Sequence, residues 1–288
     1  MFAPDAVEGQ IVVRVETARR RRGHRPVLVA GLVILTVYVL LAVIGPILTA
    51  DPLATNPDSA LAPPSAEHPF GTDKFGRDIL ARAVSATRLD LFAGMAIAGL
   101  ALVVGSSIGL VAGFWGGWVD EIVMRLTDVL LAFPGFILAL LLVAALGDST
   151  TNVLLAVSVA YVPYFIRLTR AEVLAEREKE YVQGAFLSGN SSARAAFVHV
   201  LPNALGSSIV QATLVAGWAI LTVAGLAFLG VGITPPTPEW GVMVADGAGD
   251  VITGQWWTAL FPGAMIVLAV MAFHFVGDEL AGDEDRSP

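Results

Sequence analysis

At 288 residues the chain has room for one large domain or two small ones. It is 56% apolar and only 15% charged, with a mean hydropathy of +0.73, which excludes an ordinary soluble domain, where about a quarter of residues are charged. The absence of cysteine excludes disulfides and thiolate chemistry, and a net charge of −8 says less than where the charges sit.

In chain order, a basic stretch RRRRGHRP (19–26) precedes the apolar run VLVAGLVILTVYVLLAVIGPILT (27–49). Signal peptides have apolar cores of about 7 to 15 residues. This run is longer and spans a ~30 Å hydrocarbon layer, so it reads as an anchored first helix behind an N-terminal segment, 1–26. Residues 51–69 hold Pro52, Pro57, Pro63, Pro64 and Pro69 and are expected to be extended and irregular. Over 75–91, Phe75, Ile79, Leu80, Ala83, Val84, Thr87 and Leu91 fall at helical spacing. That predicts a helix lying on the outer membrane surface, with Asp78 and Arg82 as an i,i+4 pair on its other face.

Five further apolar runs follow, at 90–113, 122–146, 152–168, 206–230 and 258–277. An all-α, polytopic membrane fold of six spanning helices is expected. The second run carries Ala101, Gly105, Gly109 and Gly113 at four-residue spacing, which lets helix backbones approach closely, either within the subunit or against another one. Pro134, Pro163 and Pro262 mark expected kinks. Arg125 and Asp128 are expected to pair at the inner interface, and His274 to make a hydrogen bond within the bundle. The last outer loop, 231–257, holds three prolines and only acidic charges, with Trp256 and Trp257 placed for an interfacial aromatic belt.

With the N-terminus inside, 13 of the 17 Lys and Arg residues fall on the cytoplasmic side, and the other four, Lys74, Arg77, Arg82 and Arg88, share one outer loop. Intramembrane carboxylates that would suit an ion-coupled carrier are scarce. Neither Lys74 nor Lys179 follows a glycine, so the chain cannot carry a phosphate-cradling G-x-x-x-x-G-K-[ST] loop. If transport is ATP-driven, a separate polypeptide binds the ATP, and this one must offer it a docking surface.

The inner loop 169–205 supplies a candidate. Residues 171–187 continue the fourth span as a helix, and Gly189-Asn190 ends it. Ser191-Ser192 then caps a second short helix, which Leu201-Pro202 stops before the fifth span. The product is a helix-turn-helix knuckle on the cytoplasmic side, suited to a groove on a soluble partner.

Gln183-Gly184-Ala185, three residues, Gly189, ten residues and Val200-Leu201-Pro202 resemble the Glu-Ala-Ala loop of ABC importer permeases. The segments HPFGTDKFGRDILARAVSATR (68–88), GGWVDEIVMRLTDVLLAFPGFILAL (116–140), LAFLGVGITPPTPEWGVMVADG (226–247) and WWTALFPGAMIVLAVMAFHFVGDEL (256–280) follow the same resemblance in order. Together, over about residues 27–280, the chain looks like the C-type permease subunit of dipeptide, oligopeptide and nickel importers. Gln183 and Gly184 depart from the usual Glu and Ala, Ala227 from Ser, and His274 from Asn. The terminal AGDEDRSP lacks the usual Arg-Asp.

The resemblance implies a type I importer permease with no catalytic, metal or cofactor site of its own. It also implies a coupling helix that includes Tyr181, Gln183, Gly184, Ala185, Gly189, Leu201 and Pro202. The implied partners are the lipid bilayer, a second permease of B type, two ATP-binding subunits carrying ATP and Mg, and an extracytoplasmic solute-binding protein; no nucleic acid is expected. Asp73, Lys74, Arg77, Asp78, Trp240 and Asp246 are the candidate docking residues for the binding protein, with plain solvated loops as the alternative reading. Peptide is favoured over nickel as cargo, and a carrier, a channel or a scaffold subunit are the competing functions. The tail, 281–288, is expected in the cytoplasm.

Overall fold

The computed structural model describes residues 24–284. The N-terminal arginines up to Arg22, and Arg286 in the tail, lie outside the described residues. Eleven α-helices are described. These are α1 (His24–Leu48), α2 (Ile79–Trp115), α3 (Gly117–Leu131), α4 (Gly135–Leu146), α5 (Thr150–Glu176), α6 (Glu180–Leu187), α7 (Ser192–Arg194), α8 (Leu201–Ala204), α9 (Gly206–Phe228), α10 (Trp240–Ile252) and α11 (Trp257–Glu284).

Five helices, α1, α2, α5, α9 and α11, are long and apolar enough to cross a membrane. The third expected span, 122–146, is not one kinked helix. It breaks at Ala132-Phe133-Pro134 into α3 and α4, bent by 94°, and counts as a sixth span only if the pair is taken together. Pro134 cannot donate a helix hydrogen bond, and with φ −54° and ψ 127° it instead starts α4. The expected surface helix over 75–91 is corrected too: Ile79 opens a single 37-residue helix that runs through to Trp115. No glycine or proline lies between Ile79 and Leu91, so propagation continues once the helix has begun.

The glycine stripe decides the packing of α2. A Cβ on Gly105 would stand 2.5 Å from the Phe165 Cβ, one on Gly109 2.7 Å from the Ile166 carbonyl oxygen, and one on Gly113 3.0 Å from the Arg170 oxygen. α2 and α5 therefore run side by side in the same direction at a separation that only small residues permit. The stripe serves packing within the subunit. At its centre the Thr169 hydroxyl lies 2.9 Å from both Ser106 Oγ and Ser208 Oγ, tying α2, α5 and α9 together where hydrocarbon offers no other partner.

Close approaches of Gly94 to Ile220, Gly217 to Val270 and Gly31 to Ala272 order the rest as α9 against α2, α11 against α9 and α1 against α11. His274 bonds Val270 O on its own helix at 2.9 Å, as expected. One end of the bundle thus carries the end of α2, the end of α5, the segment 177–205 and the start of α9. The other carries residues 50–78, the α4–α5 turn and α10.

Arg125 does not pair with Asp128. It lies 3.9 Å from Glu121, while Asp128 pairs with Arg167 at 2.5 Å and Asp120 accepts from Arg170, so two of the three acidic side chains of α3 reach across to α5. Cross-helix pairing wins over local spacing because α3 lies across the end of α5.

Candidate functional site

The knuckle is built on α5. Beyond Glu176, Arg177 donates to the carbonyls of Gly113 (2.9 Å) and Phe114 (3.4 Å), occupying acceptors that the end of α2 leaves free. α6 closes at Gly189, whose φ of +83° suits a residue without a Cβ. The N–H groups of Gly189 and Asn190 donate to Phe186 O (2.9 Å) and Ala185 O (3.1 Å). Ser191 caps the next helix by accepting from the Arg194 N–H at 3.3 Å.

The expected stop at Leu201-Pro202 is corrected. α7 passes through a π-helical turn, 195–200, into α8, and the break before α9 falls at Leu205. Pro202 sits in the first turn of α8, where its missing N–H costs least.

Val182, Ala196, Val200 and Ala204 bury an apolar base against Leu110 and Val173, with Leu201 packed beside them and Ala185 also buried. A polar clasp flanks this base. The Tyr181 hydroxyl donates to Glu176 Oε1 at 2.5 Å, Lys179 Nζ meets Glu176 Oε2 at 2.6 Å, and Asn203 Nδ2 donates to His199 O at 2.7 Å. Burial and the neighbouring Glu176 carboxylate push the Tyr181 phenol up to about 12.

Of the predicted coupling residues, Ala185 is buried, Gly189 makes the turn and Tyr181 the clasp. Gln183, Gly184 and Pro202 face outward, with open space around Gly184. Sequence reasoning missed the tip. Leu187 is 91% exposed, and Phe186, Phe197 and Val198 of the same knuckle are exposed too. An apolar residue next to the turn of an otherwise polar hairpin was the available signal.

At the opposite end, Asp73, Lys74, Arg77 and Asp246 come together. Arg77 Nε donates to Asp73 Oδ2 at 2.6 Å, Lys74 Nζ to Asp246 Oδ1 at 3.1 Å, and Arg77 Nη2 lies 3.7 Å from Asp246 Oδ2. The network pins residues 50–78 to α10. Arg77, Arg82 and Asp246 each keep a buried polar atom with no hydrogen-bond partner among the described residues, around a void of about 10 Å³ that suits a single water. Asp78 stands apart. It caps α2 through the Ala81 N–H (2.8 Å) and pairs with His68 at 2.8 Å. Its expected partner Arg82 is buried instead, donating to Pro52 O and Pro236 O.

Trp240, expected on the docking surface, is fully buried. Its indole donates to Ala83 O at 2.9 Å and its backbone N–H to Asp90 Oδ2 at 3.1 Å. Trp257, expected in an aromatic belt, donates inward to Thr72 O at 3.2 Å, while Trp256 stays half-exposed.

Sequence reasoning also missed Asp90 and Glu239. Glu239 caps α10 through the Val242 N–H (2.6 Å), and its Oε1 has no donor among the described residues. Asp90 accepts from the adjoining Trp240 N–H, so two buried carboxyl groups flank the start of α10. Burial raises Glu239 above the usual carboxylate range.

Residues 105–282 match the family of binding-protein-dependent transport system inner membrane components, and residues 16–64 match the N-terminal transmembrane domain of oligopeptide transport permease C. The chain is 46% identical over 253 residues to the dipeptide transport system permease protein DppC of Alkalihalophilus pseudofirmus, covering 88% of this chain and 83% of that one. It is 40% identical over 278 residues to a putative peptide transport system permease protein of Brucella suis, covering 96% and 92%. Over 254 residues it is 40% identical to the probable D,D-dipeptide transport system permease protein DdpC of Escherichia coli, covering 88% and 85%. With five or six spans, a folded knuckle and matches over nearly its whole length, the chain belongs to the binding-protein-dependent transport system inner membrane components, as a multi-pass permease subunit of the C type.

Proposed function

We propose that the protein is one of two permease subunits of an ATP-driven importer of short peptides in a bacterial plasma membrane, with both termini in the cytoplasm. The observation that carries this is the knuckle: a braced base on α5 under a bare apolar tip at Leu187. Solvated connectors keep such tips polar, whereas a tip that enters a groove on a partner gains by apolar burial. The partner is the ATP-binding subunit, which holds ATP and Mg, since neither lysine of this chain follows a glycine. The peptide cargo is taken from what the similar permeases are named for.

The mechanism is alternating access. ATP closes the nucleotide subunits, and each draws its knuckle with it. Because α5 is locked to α2 at the glycine stripe, the movement passes to the span pair as one body. The pair opens outward for cargo delivered by the binding protein, and hydrolysis resets it. ATP biases the equilibrium only through unequal contact with the two states, and the knuckle supplies that contact.

The chain lacks cysteine, so a Leu187→Cys variant carries a single reactive site. In the assembled importer it is expected to cross-link to an ATP-binding subunit with a single engineered groove cysteine, and vesicles are expected to take up radiolabelled alanyl-alanine. Absence of the cross-link in every nucleotide state contradicts the coupling reading. Uptake of nickel ions instead of the dipeptide contradicts the cargo.

A further inference from the structure

Two concavities on the face between α5 and α9 share Tyr164 and Gln211 and so form one groove. The larger has a volume of about 600 Å³ and is walled by Tyr161, Tyr164, Gln211, Trp218 and Thr222; the smaller, about 340 Å³, ends at Arg167. From Gly225 to Gln211 the groove follows α9 for about 21 Å at about 1.5 Å per residue. That is most of a ~30 Å hydrocarbon layer. Its wall holds no charge until the Arg167–Asp128 pair at the knuckle end.

Tyr161 and Thr222 bond each other at 3.0 Å, but neither the Tyr164 hydroxyl nor the Gln211 amide has a hydrogen-bond partner among the described residues. Facing lipid, each would be a polar group with nothing to satisfy it. A separate concavity, of about 800 Å³ along α11, shows the contrast: Leu260, Ala264, Val267 and Trp256 wall it, and it suits acyl chains or an apolar helix.

We infer that the α5–α9 groove is this subunit's wall of the transport path, and that Tyr164 and Gln211 hydrogen-bond the backbone amides of a passing peptide. The inference rests on the importer reading. An amide and a phenol pair with any peptide bond, and the Tyr164 and Trp218 rings, each about half exposed, offer flat contact to varied side chains. Neutral groups hold cargo weakly enough to release it. A helix of the second permease laid into the groove is the competing occupant.

The test uses the assembled importer in vesicles and an anionic, membrane-impermeant thiol reagent. Gln211→Cys and Tyr164→Cys variants are expected to react during ATP turnover, to be protected by excess alanyl-alanine, and to lose uptake once modified. The Ala264→Cys variant is expected to stay unreactive. Unreactive groove cysteines in an importer that still hydrolyses ATP place lipid or a partner helix there and overturn the inference. So does modification that leaves uptake intact. Reagent access is read on the complex whatever it carries, so failure of dipeptide uptake alone overturns the cargo reading, while reactivity still decides the groove. Gln211→Leu is expected to lower uptake about 3- to 10-fold, the size of one hydrogen bond, while binding-protein-stimulated ATPase persists.

Discussion

The Tyr181 hydroxyl donates to Glu176 Oε1 at 2.5 Å, so the first helix of the knuckle is clasped to the last turn of α5. A lever transmits only as much as its joint is stiff. Tyr181→Phe removes the hydrogen bond to Glu176 and the longer contacts with His199 O and Asn203 Nδ2, both 3.3 Å, but leaves Lys179 on Glu176, a loss of about 1 kcal/mol. Amide hydrogen exchange over 180–187 is expected to quicken about five-fold with the spans unchanged. The phenol is raised, to about 12, so its contribution is complete below pH ~10 and is lost as pH rises toward that value. The pH profile of knuckle exchange protection should therefore show no step from this residue below pH ~10.

The glycine stripe predicts a sharp contrast between positions. Gly109→Val puts atoms where the Ile166 carbonyl already stands, and overpacking of this kind costs about 1–3 kcal/mol. A lower melting temperature in detergent is expected. Gly184→Ala meets nothing within 4 Å and is expected to leave it unchanged.

Glu239 predicts a pH dependence. Its carboxyl is raised by burial, so its contribution to stability is present below the ordinary carboxylate value near pH ~4.3 and fades as pH rises through its higher folded value. Glu239→Gln keeps an oxygen for the Val242 N–H and needs no proton. Its melting temperature is expected to vary less between pH 5 and 8, as scans at about half-unit steps would register.

The ion network at the opposite end separates bracing from docking. Arg82, almost fully buried, holds Pro52 O and Pro236 O, and Arg82→Ala is expected to cost about 3 kcal/mol in thermal unfolding. Lys74 is half-exposed in its pair with Asp246, and Lys74→Ala is expected to leave stability unchanged. If the binding protein docks at this end, Lys74→Ala instead raises the concentration of binding protein needed for half-maximal ATPase stimulation.

The spans were legible because length and hydropathy are summed over many residues, and the knuckle because Gly189 and Ser191 are local signals with local consequences. What failed was pairing across the chain. Asp78–Arg82 and Arg125–Asp128 were matched by spacing, but Arg82 is drawn inward to Pro52 and Pro236, and Asp128 finds Arg167 on another helix. Asp90 and Glu239, far apart in sequence, gave no periodic signal of their meeting. Phe133-Pro134-Gly135 did announce a break, which the apolar length of 122–146 concealed. Glu239 ahead of Trp240 was an N-cap signal for α10, masked by the prolines just before it. Of the docking candidates, Trp240 is a large aromatic whose indole N–H is satisfied only inside, at Ala83 O.

The most direct test of the account compares ATPase activity and uptake in the reconstituted importer for the wild type and a Gln183→Arg, Gly189→Pro double variant. The account predicts that the binding protein stimulates hydrolysis in the wild type, and that the variant, still inserted and assembled, loses both stimulation and uptake. Full stimulated hydrolysis and uptake in the variant would contradict it, leaving residues 180–203 as a connector and moving the transmission point elsewhere on that face.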